Sequence, residues 1–220
     1  MQPLCKPLRP APEKNCTALK PAGRKCKLHK TESRQRTPRK KTWDEEMTEL
    51  FCEFRPGPPT NSLVLNSEKQ PRLFRLWDIS QKFLFLVNNI LVASSQQSGS
   101  SDQLIAVVPN LSLNPANQPI FMGLSDNTRA LNCVLAGKGQ PKLQLVERDI
   151  MDLYRANEEF KSFTFYSNTE GNDETCSFES AAFPGWFLST REEPNRPLDL
   201  SRGGAHCITS FYFERKDSVK

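Results

Sequence analysis

The strongest constraint on the fold is a series of short apolar or alternating runs that fills the chain from Leu73 onward. Clusters of Asn, Asp, Gly, Ser and Pro separate these runs, a pattern typical of many short strands joined by turns. The pattern therefore predicts an all-β domain, and a closed barrel is favoured over an open sheet because it leaves no strand edges exposed. Twelve strands are predicted, beginning near residues 73, 83, 90, 104, 120, 130, 142, 163, 175, 186, 197 and 210.

Local signals place two hairpins and one helix in this region. The runs at 83–87 and 90–93 flank Asn88 and Asn89, and asparagine tolerates the positive φ of a tight turn. A second hairpin is predicted between 121–124 and 131–135, around a polar loop. Residues 149–154 have a helical pattern that is barely two turns long.

The first fifth of the chain has a different composition. Residues 1–41 contain six prolines, and Lys and Arg far outnumber the two acids, Glu13 and Glu32. No apolar periodicity is sustained there, so the segment is predicted to be disordered. The positive charge is therefore concentrated in this leader, and because the whole chain has a formal net charge of +5, the remainder is mildly acidic. Basic stretches of this kind attract acidic partners without sequence specificity.

A cluster of proline and glycine residues, which interrupt helices and strands, sets the predicted domain boundary. Residues 1–65 are expected to form a disordered, Pro-rich, basic N-terminal extension or propeptide, and residues 66–220 the folded domain. One stretch inside the extension differs, because its apolar residues recur at the spacing of a short amphipathic helix. These residues are Trp43, Met47, Leu50, Phe51 and Phe54.

Sequence patterns also bound the compartment and exclude several classes of protein. No apolar run reaches the roughly 18 residues of a membrane-spanning helix, and the N-terminus lacks the apolar core of a secretory signal peptide. From these patterns alone we expect a protein that is not inserted in a membrane and is either intracellular or exported without a classical signal peptide. The seven cysteines are an odd number spread over the whole chain, which favours reduced thiols over a disulfide framework.

Catalytic chemistry has little support in the sequence. The two histidines, His29 and His206, fall in the basic leader and in a predicted loop, without a nucleophile elbow or phosphate loop. Cys5, Cys16 and Cys26 lack the paired spacing of strong zinc sites. We expect no enzyme activity, no catalytic residue, no cofactor and no metal.

One sequence motif narrows the range of protein families to which the chain could belong. Residues 178–190 read Phe-Glu-Ser-Ala-Ala-Phe-Pro-Gly-Trp-Phe-Leu-Ser-Thr, and Leu198 follows after seven more residues. This segment resembles the signature of the interleukin-1 cytokine family at every fixed position. The resemblance extends over about 73–215 and implies a β-trefoil of twelve strands. Its expected buried barrel residues are Phe178, Trp186, Phe187 and Leu188, with a turn at Pro184-Gly185.

The resemblance also implies a function. It indicates a monomeric cytokine that is secreted without a classical signal peptide, with a cytoplasmic pool. This cytokine is expected to bind an interleukin-1-type or interleukin-36-type cell-surface receptor and to modulate inflammatory signalling. Carried over position by position, the receptor contacts are expected at Trp77, Gln81, Gln97 and Tyr212. Without the resemblance, the two aromatic residues would be interpreted as packed strand residues and the two glutamines as solvated loop residues.

Ser210 stands at the position that the family resemblance links to agonism or antagonism. An acidic residue there favours agonism in the interleukin-1 branch, and a lysine goes with antagonism. Serine removes the acid without adding the opposite charge. The amino-acid sequence most resembles the sequences of the receptor-antagonist branch. Members of this branch occupy a receptor without recruiting its accessory chain. A receptor antagonist is therefore favoured, and an agonist that uses the accessory chain remains the alternative.

A rival of another class is a dual-function cytokine with an additional role in the nucleus. The basic run at 34–41 is dense enough to resemble a nuclear-import signal. A soluble propeptide explains the same run, and binding to nucleic acid is not expected.

Overall fold

The computed structural model describes residues 39–55, 69–96, 101–169, 171, 173–204 and 206–217. Residues 1–38, which make up most of the predicted disordered extension, lie outside the described residues. The described residues from Lys40 onward belong to one compact unit. They form two α-helices, α1 (Trp43–Phe54) and α2 (Ile150–Ala156), three single-turn 3-10 helices and fourteen strands. In chain order the strands are β1 (Arg72–Asp78), β2 (Lys82–Val87), β3 (Ile90–Ser95), β4 (Ile105–Pro109), β5 (Pro119–Leu124), β6 (Arg129–Leu135), β7 (Pro141–Glu147), β8 (Thr164–Asn168), β9 (Thr175–Ser180), β10 (Phe187–Arg191), β11 (Arg196–Pro197), β12 (Asp199–Ser201), β13 (Cys207–Ile208) and β14 (Phe211–Lys216).

Six of these strands close into a barrel. Each pairs antiparallel with the next around the ring β1–β4–β5–β8–β9–β14, and β14 pairs with β1 to complete it. Six of the other strands form three paired sets outside this ring, β2 with β3, β6 with β7, and β10 with β12, while the two-residue strands β11 and β13 pair with β3 and β10. Two barrel strands and one such set therefore recur three times along the chain. This is the predicted β-trefoil, and the fold class is confirmed.

The alternating runs located the strands well. Every predicted strand begins within one residue of an observed one. The count is fourteen and not twelve because the run near residue 197 is divided into β11 and β12, and because β13 adds a short pairing with β10. The β2–β3 hairpin is confirmed, with φ of 49° at Asn88 and 62° at Asn89 in its turn.

The prediction of a second hairpin, between β5 and β6, was wrong about the length over which the two strands pair. β5 and β6 are paired only at Gly123 and Ala130. The physical reason is that β5 uses its edges in the barrel, where it pairs with β4 and β8. β6 instead pairs with β7 along its full length.

The short helical pattern at 149–154 is confirmed as α2. The carboxylate of Asp149 accepts a hydrogen bond from the Met151 N–H at 2.8 Å and caps the first turn. No helix among the described residues is long and apolar enough to span a lipid bilayer.

Helix α1 is the amphipathic helix that the sequence indicated. A reciprocal capping box begins it: the Glu45 N–H donates to the Thr42 hydroxyl, and the Thr42 N–H donates to the Glu45 carboxylate. Its apolar side is buried, as Trp43, Met47, Leu50, Phe51 and Phe54 are each at most 5% exposed.

Trp43 docks this helix on the barrel. Its ring centroid lies 5.0 Å from that of Phe74, 5.3 Å from that of Phe178 and 5.1 Å from that of Phe213. These three rings come from β1, β9 and β14, so α1 packs against buried residues of three barrel strands.

A buried ion network adds to the apolar contact of α1. Glu46 and Arg72 are each 4% exposed and are joined at 2.9 Å, and Arg215 reaches the same carboxylate at 3.3 Å. Arg72 also contacts Glu53 at 2.5 Å. The predicted domain boundary at residue 66 is therefore wrong for α1. The helix belongs to the folded unit because the barrel buries its apolar side and supplies arginines that pair with its acidic side chains.

The signature motif is only partly buried. Phe178 and Leu188 lie in the core as predicted, whereas Trp186 and Phe187 are half-buried, contrary to the prediction. Trp186 lies at the end of a surface turn, where the Arg202 guanidinium stands 5.3 Å from its ring centroid. Gly185 adopts φ of 78° in that turn, as expected for the Pro-Gly pair.

Candidate functional site

Three aromatic rings stack across neighbouring strands on the outside of the barrel. Trp77 of β1 lies between Phe83 of β2, at a centroid distance of 5.4 Å, and Tyr212 of β14, at 5.9 Å. The interplanar angles are 24° and 25°. Strand register explains the stack, because Trp77 is directly opposite both partners. All three side chains are half-buried, so each keeps part of its surface in solvent.

Gln81 lies in the turn that follows β1. It adopts φ of 62°, and its N–H donates to the Asp78 carbonyl at 2.9 Å. The Asp78 carboxylate accepts the N–H groups of Ser80 and Lys82, each at 2.9 Å, and the hydroxyl of Thr190 at 2.5 Å. The Gln81 side chain is exposed on a turn whose backbone is tied down.

A buried ion pair supports this turn. Asp78 is 0% exposed and Lys82 is 3% exposed, and the carboxylate lies 3.3 Å from the Lys82 ammonium. That ammonium also donates to the carbonyls of Arg191 and Glu192. Both charges are therefore satisfied away from water, which is the condition for tolerating a buried pair.

The structural role of Asp78 and Lys82 was not among the predictions from the sequence. The signal was present, because β1 turns Phe74, Leu76 and Asp78 inward in alternation. Lys82 precedes Leu84 with the same period in β2. Opposite charges at inward positions of neighbouring strands are expected to pair, because an unpaired buried charge is costly.

The structure brings three of the predicted receptor contacts into one region. Trp77 and Tyr212 are register partners, and Gln81 follows from the same end of β1. Ser210 is half-buried and directly precedes Phe211, which pairs with Asp78, so it lies beside this end as well. Gln97 lies outside the described residues. We call the surface of Trp77, Phe83, Tyr212 and the turn 79–81 the aromatic face.

Three titratable groups with shifted pKa values, Cys133, Cys176 and His206, lie outside the residues that define the aromatic face. Burial raises the pKa of the Cys133 thiol to about 12 and the pKa of Cys176 well above its ordinary value, so both stay protonated. The hydrogen bond between His206 and Glu192, at 2.8 Å on the exposed surface, raises the pKa of the imidazole. Of the cysteines and histidines considered as metal ligands, Cys5, Cys16, Cys26 and His29 lie outside the described residues.

Ring faces, an exposed amide and a fixed turn suit non-covalent recognition of another macromolecule. The fold defines the class of β-trefoil proteins. A family model described as Interleukin-1 / 18 matches residues 97–213. The chain belongs to the interleukin-1 family of cytokines.

Relatives and solved structures agree with this assignment. The human protein named Interleukin-36 receptor antagonist protein is 41% identical over 152 residues, covering 66% of this chain and 95% of the relative. The dog Interleukin-1 receptor antagonist protein is 39% identical over 145 residues, covering 65% and 79% respectively. The NMR structure of the pro-inflammatory cytokine interleukin-36alpha is 33% identical, with a TM-score of 0.54 over 64% of this chain and 93% of that one.

Proposed function

We propose that the chain acts outside the cell as a monomer, binds an interleukin-1-type or interleukin-36-type receptor through the aromatic face, and blocks inflammatory signalling. The observation that carries the proposal is the stack of Trp77 between Phe83 and Tyr212, next to the exposed Gln81. Interface hot spots are enriched in Trp and Tyr at positions that become desolvated on binding.

Rigidity supports the same role. Cross-strand stacking restrains the three rings, and the buried Asp78–Lys82 pair restrains the turn that carries Gln81. A surface that is ordered before binding loses little conformational entropy when the partner docks. The aromatic face is therefore suited to binding a receptor without rearrangement.

Antagonism is the form of this function that the chain supports best. Two receptor antagonists are about 40% identical to it over most of their length. Ser210, beside the aromatic face, offers no charge to an accessory chain that would recognise an acid. The receptor would then be occupied while the accessory chain gains too little contact to join.

Receptor affinity should fall sharply when the aromatic face is truncated. Trp77→Ala and Tyr212→Ala are each expected to weaken binding of the full chain to a receptor ectodomain by about 30-fold, a typical loss at a hot spot. Surface plasmon resonance on immobilised ectodomains of both receptor types measures this directly. Leu135→Ala is the matched control, because Leu135 is 63% exposed at the end of β6, which does not pair with β1, β2 or β14.

A second variant separates binding from folding. Gln81→Gly removes the exposed amide while keeping a backbone that glycine adopts freely at φ of 62°. It should weaken binding about fivefold, the loss of roughly one hydrogen bond, with no loss of thermal stability. Unchanged affinity in Trp77→Ala, Tyr212→Ala and Gln81→Gly would show that the receptor surface lies elsewhere.

A further inference from the structure

Lys40 brings a positive charge to the aromatic face from outside the strands that form it. Its ammonium lies 5.5 Å from the Trp77 ring centroid and 5.1 Å from that of Phe213. Both distances are within the range of a cation–π contact. The side chain is exposed, so this charge is available to solvent and to a partner.

Helix α1 fixes the position of Lys40. The helix is capped at Thr42, two residues later, and Trp43, three residues later, is 0% exposed. Consecutive Cα atoms are about 3.8 Å apart, so a backbone this close to a buried anchor cannot move far. Docking of α1 and the position of the charge are therefore coupled.

Neighbouring charges are paired within the chain. Arg75 contacts Asp102 at 2.7 Å, and Glu214 contacts Lys216 at 2.7 Å. Lys41, next in sequence, contacts the Glu49 carboxylate of α1 at 2.6 Å. Lys40 differs from these residues because its ammonium lies over the Trp77 ring of the aromatic face and the adjacent Phe213 ring.

We infer that Lys40 is a receptor contact, which extends the aromatic face to the segment that precedes α1, and that it pairs with an acidic side chain of the receptor. This inference rests on the proposed function. A cation at the rim of an aromatic surface adds long-range attraction and fixes orientation, while the rings supply the desolvated contact. The receptor-binding unit therefore starts at Lys40, 26 residues before the predicted boundary at residue 66.

Charge reversal tests the inference. In the full chain, Lys40→Glu should weaken binding to the receptor ectodomain about tenfold at low salt, because an attractive pair becomes a repulsive one. The loss should shrink to about twofold near 0.5 M NaCl, where exposed charges are screened. Lys40→Arg keeps the charge and should bind like the unmodified chain.

Lys41→Glu is the matched control, since its ammonium is turned to Glu49 on α1. It should leave affinity within twofold of the unmodified chain. Equal effects at the two positions would contradict the inference, and so would tighter binding by Lys40→Glu, which would mean that Lys40 shields Trp77. If the unmodified chain binds and Trp77→Ala weakens it while Lys40→Glu does not, only the inference fails. If neither substitution changes binding, the proposed function fails as well.

Discussion

Replacing Trp43 by alanine is expected to lower the free energy of unfolding by about 3–5 kcal/mol, the usual loss for a large aromatic residue in a core. The indole is 0% exposed and contacts the rings of Phe74, Phe178 and Phe213. Its removal leaves a cavity between α1 and three barrel strands. Urea unfolding of the full chain, followed by far-UV circular dichroism, measures the loss.

Thr48→Ala is the control for this substitution. Thr48 lies on the exposed side of the same helix, and the change should alter the free energy of unfolding by no more than about 0.5 kcal/mol. If Trp43→Ala lost less than about 1 kcal/mol, well below the usual loss for a buried aromatic, the helix would not be packed as described.

Asp78→Ala should be comparably damaging, with a loss of about 3–5 kcal/mol. The substitution leaves the Lys82 ammonium buried without its carboxylate, and it removes the acceptor of the Ser80, Lys82 and Thr190 hydrogen bonds. The same denaturation experiment applies, and binding should weaken with stability because the turn that carries Gln81 loses its support.

A double variant identifies the cause of that loss. Asp78→Ala combined with Lys82→Met removes both charges and should be more stable than Asp78→Ala alone, because no uncompensated ammonium remains in the core. If the double variant were as unstable as the single one, the hydrogen bonds of the turn, and not the orphaned charge, would account for the loss.

The parts of the fold that sequence analysis predicted are those fixed by local patterns. Alternating runs and turn residues placed twelve of the fourteen strands, and the Asn88-Asn89 turn was set by the conformational preference of asparagine. The trefoil arrangement came from the family resemblance, since closure of the barrel joins strands as distant as β1 and β14.

The inclusion of α1 in the domain could not be predicted from its spacing alone. Periodicity indicated an apolar face, but the surface that buries it includes Phe178, more than a hundred residues away. A signal was nevertheless present in the capping box of Thr42 and Glu45, which marks a helix with a defined start. The proline-rich segment after residue 55 separates α1 from the strands in the sequence, although α1 packs against the barrel strands in the structure.

The candidate site also contains residues that could be selected from the sequence and one that could not. Trp77, Gln81 and Tyr212 were selected by resemblance, and the structure places them at one end of β1 and β14. Lys40 could not be selected, because its proximity to Trp77 depends on the docking of α1. Ser210 lies beside this region, and its neutral side chain is consistent with the proposed antagonism without being its main basis.

Competition in cells tests the proposed function most directly. The purified full chain is added to reporter cells that carry an interleukin-1-type or interleukin-36-type receptor, alone and together with a known agonist of that receptor. The chain alone should give no signal, and it should shift the agonist dose–response curve to higher concentration without lowering its maximum, while Trp77→Ala should not shift it. Stimulation by the chain alone, or an unshifted curve at both receptors, would contradict the proposed antagonism.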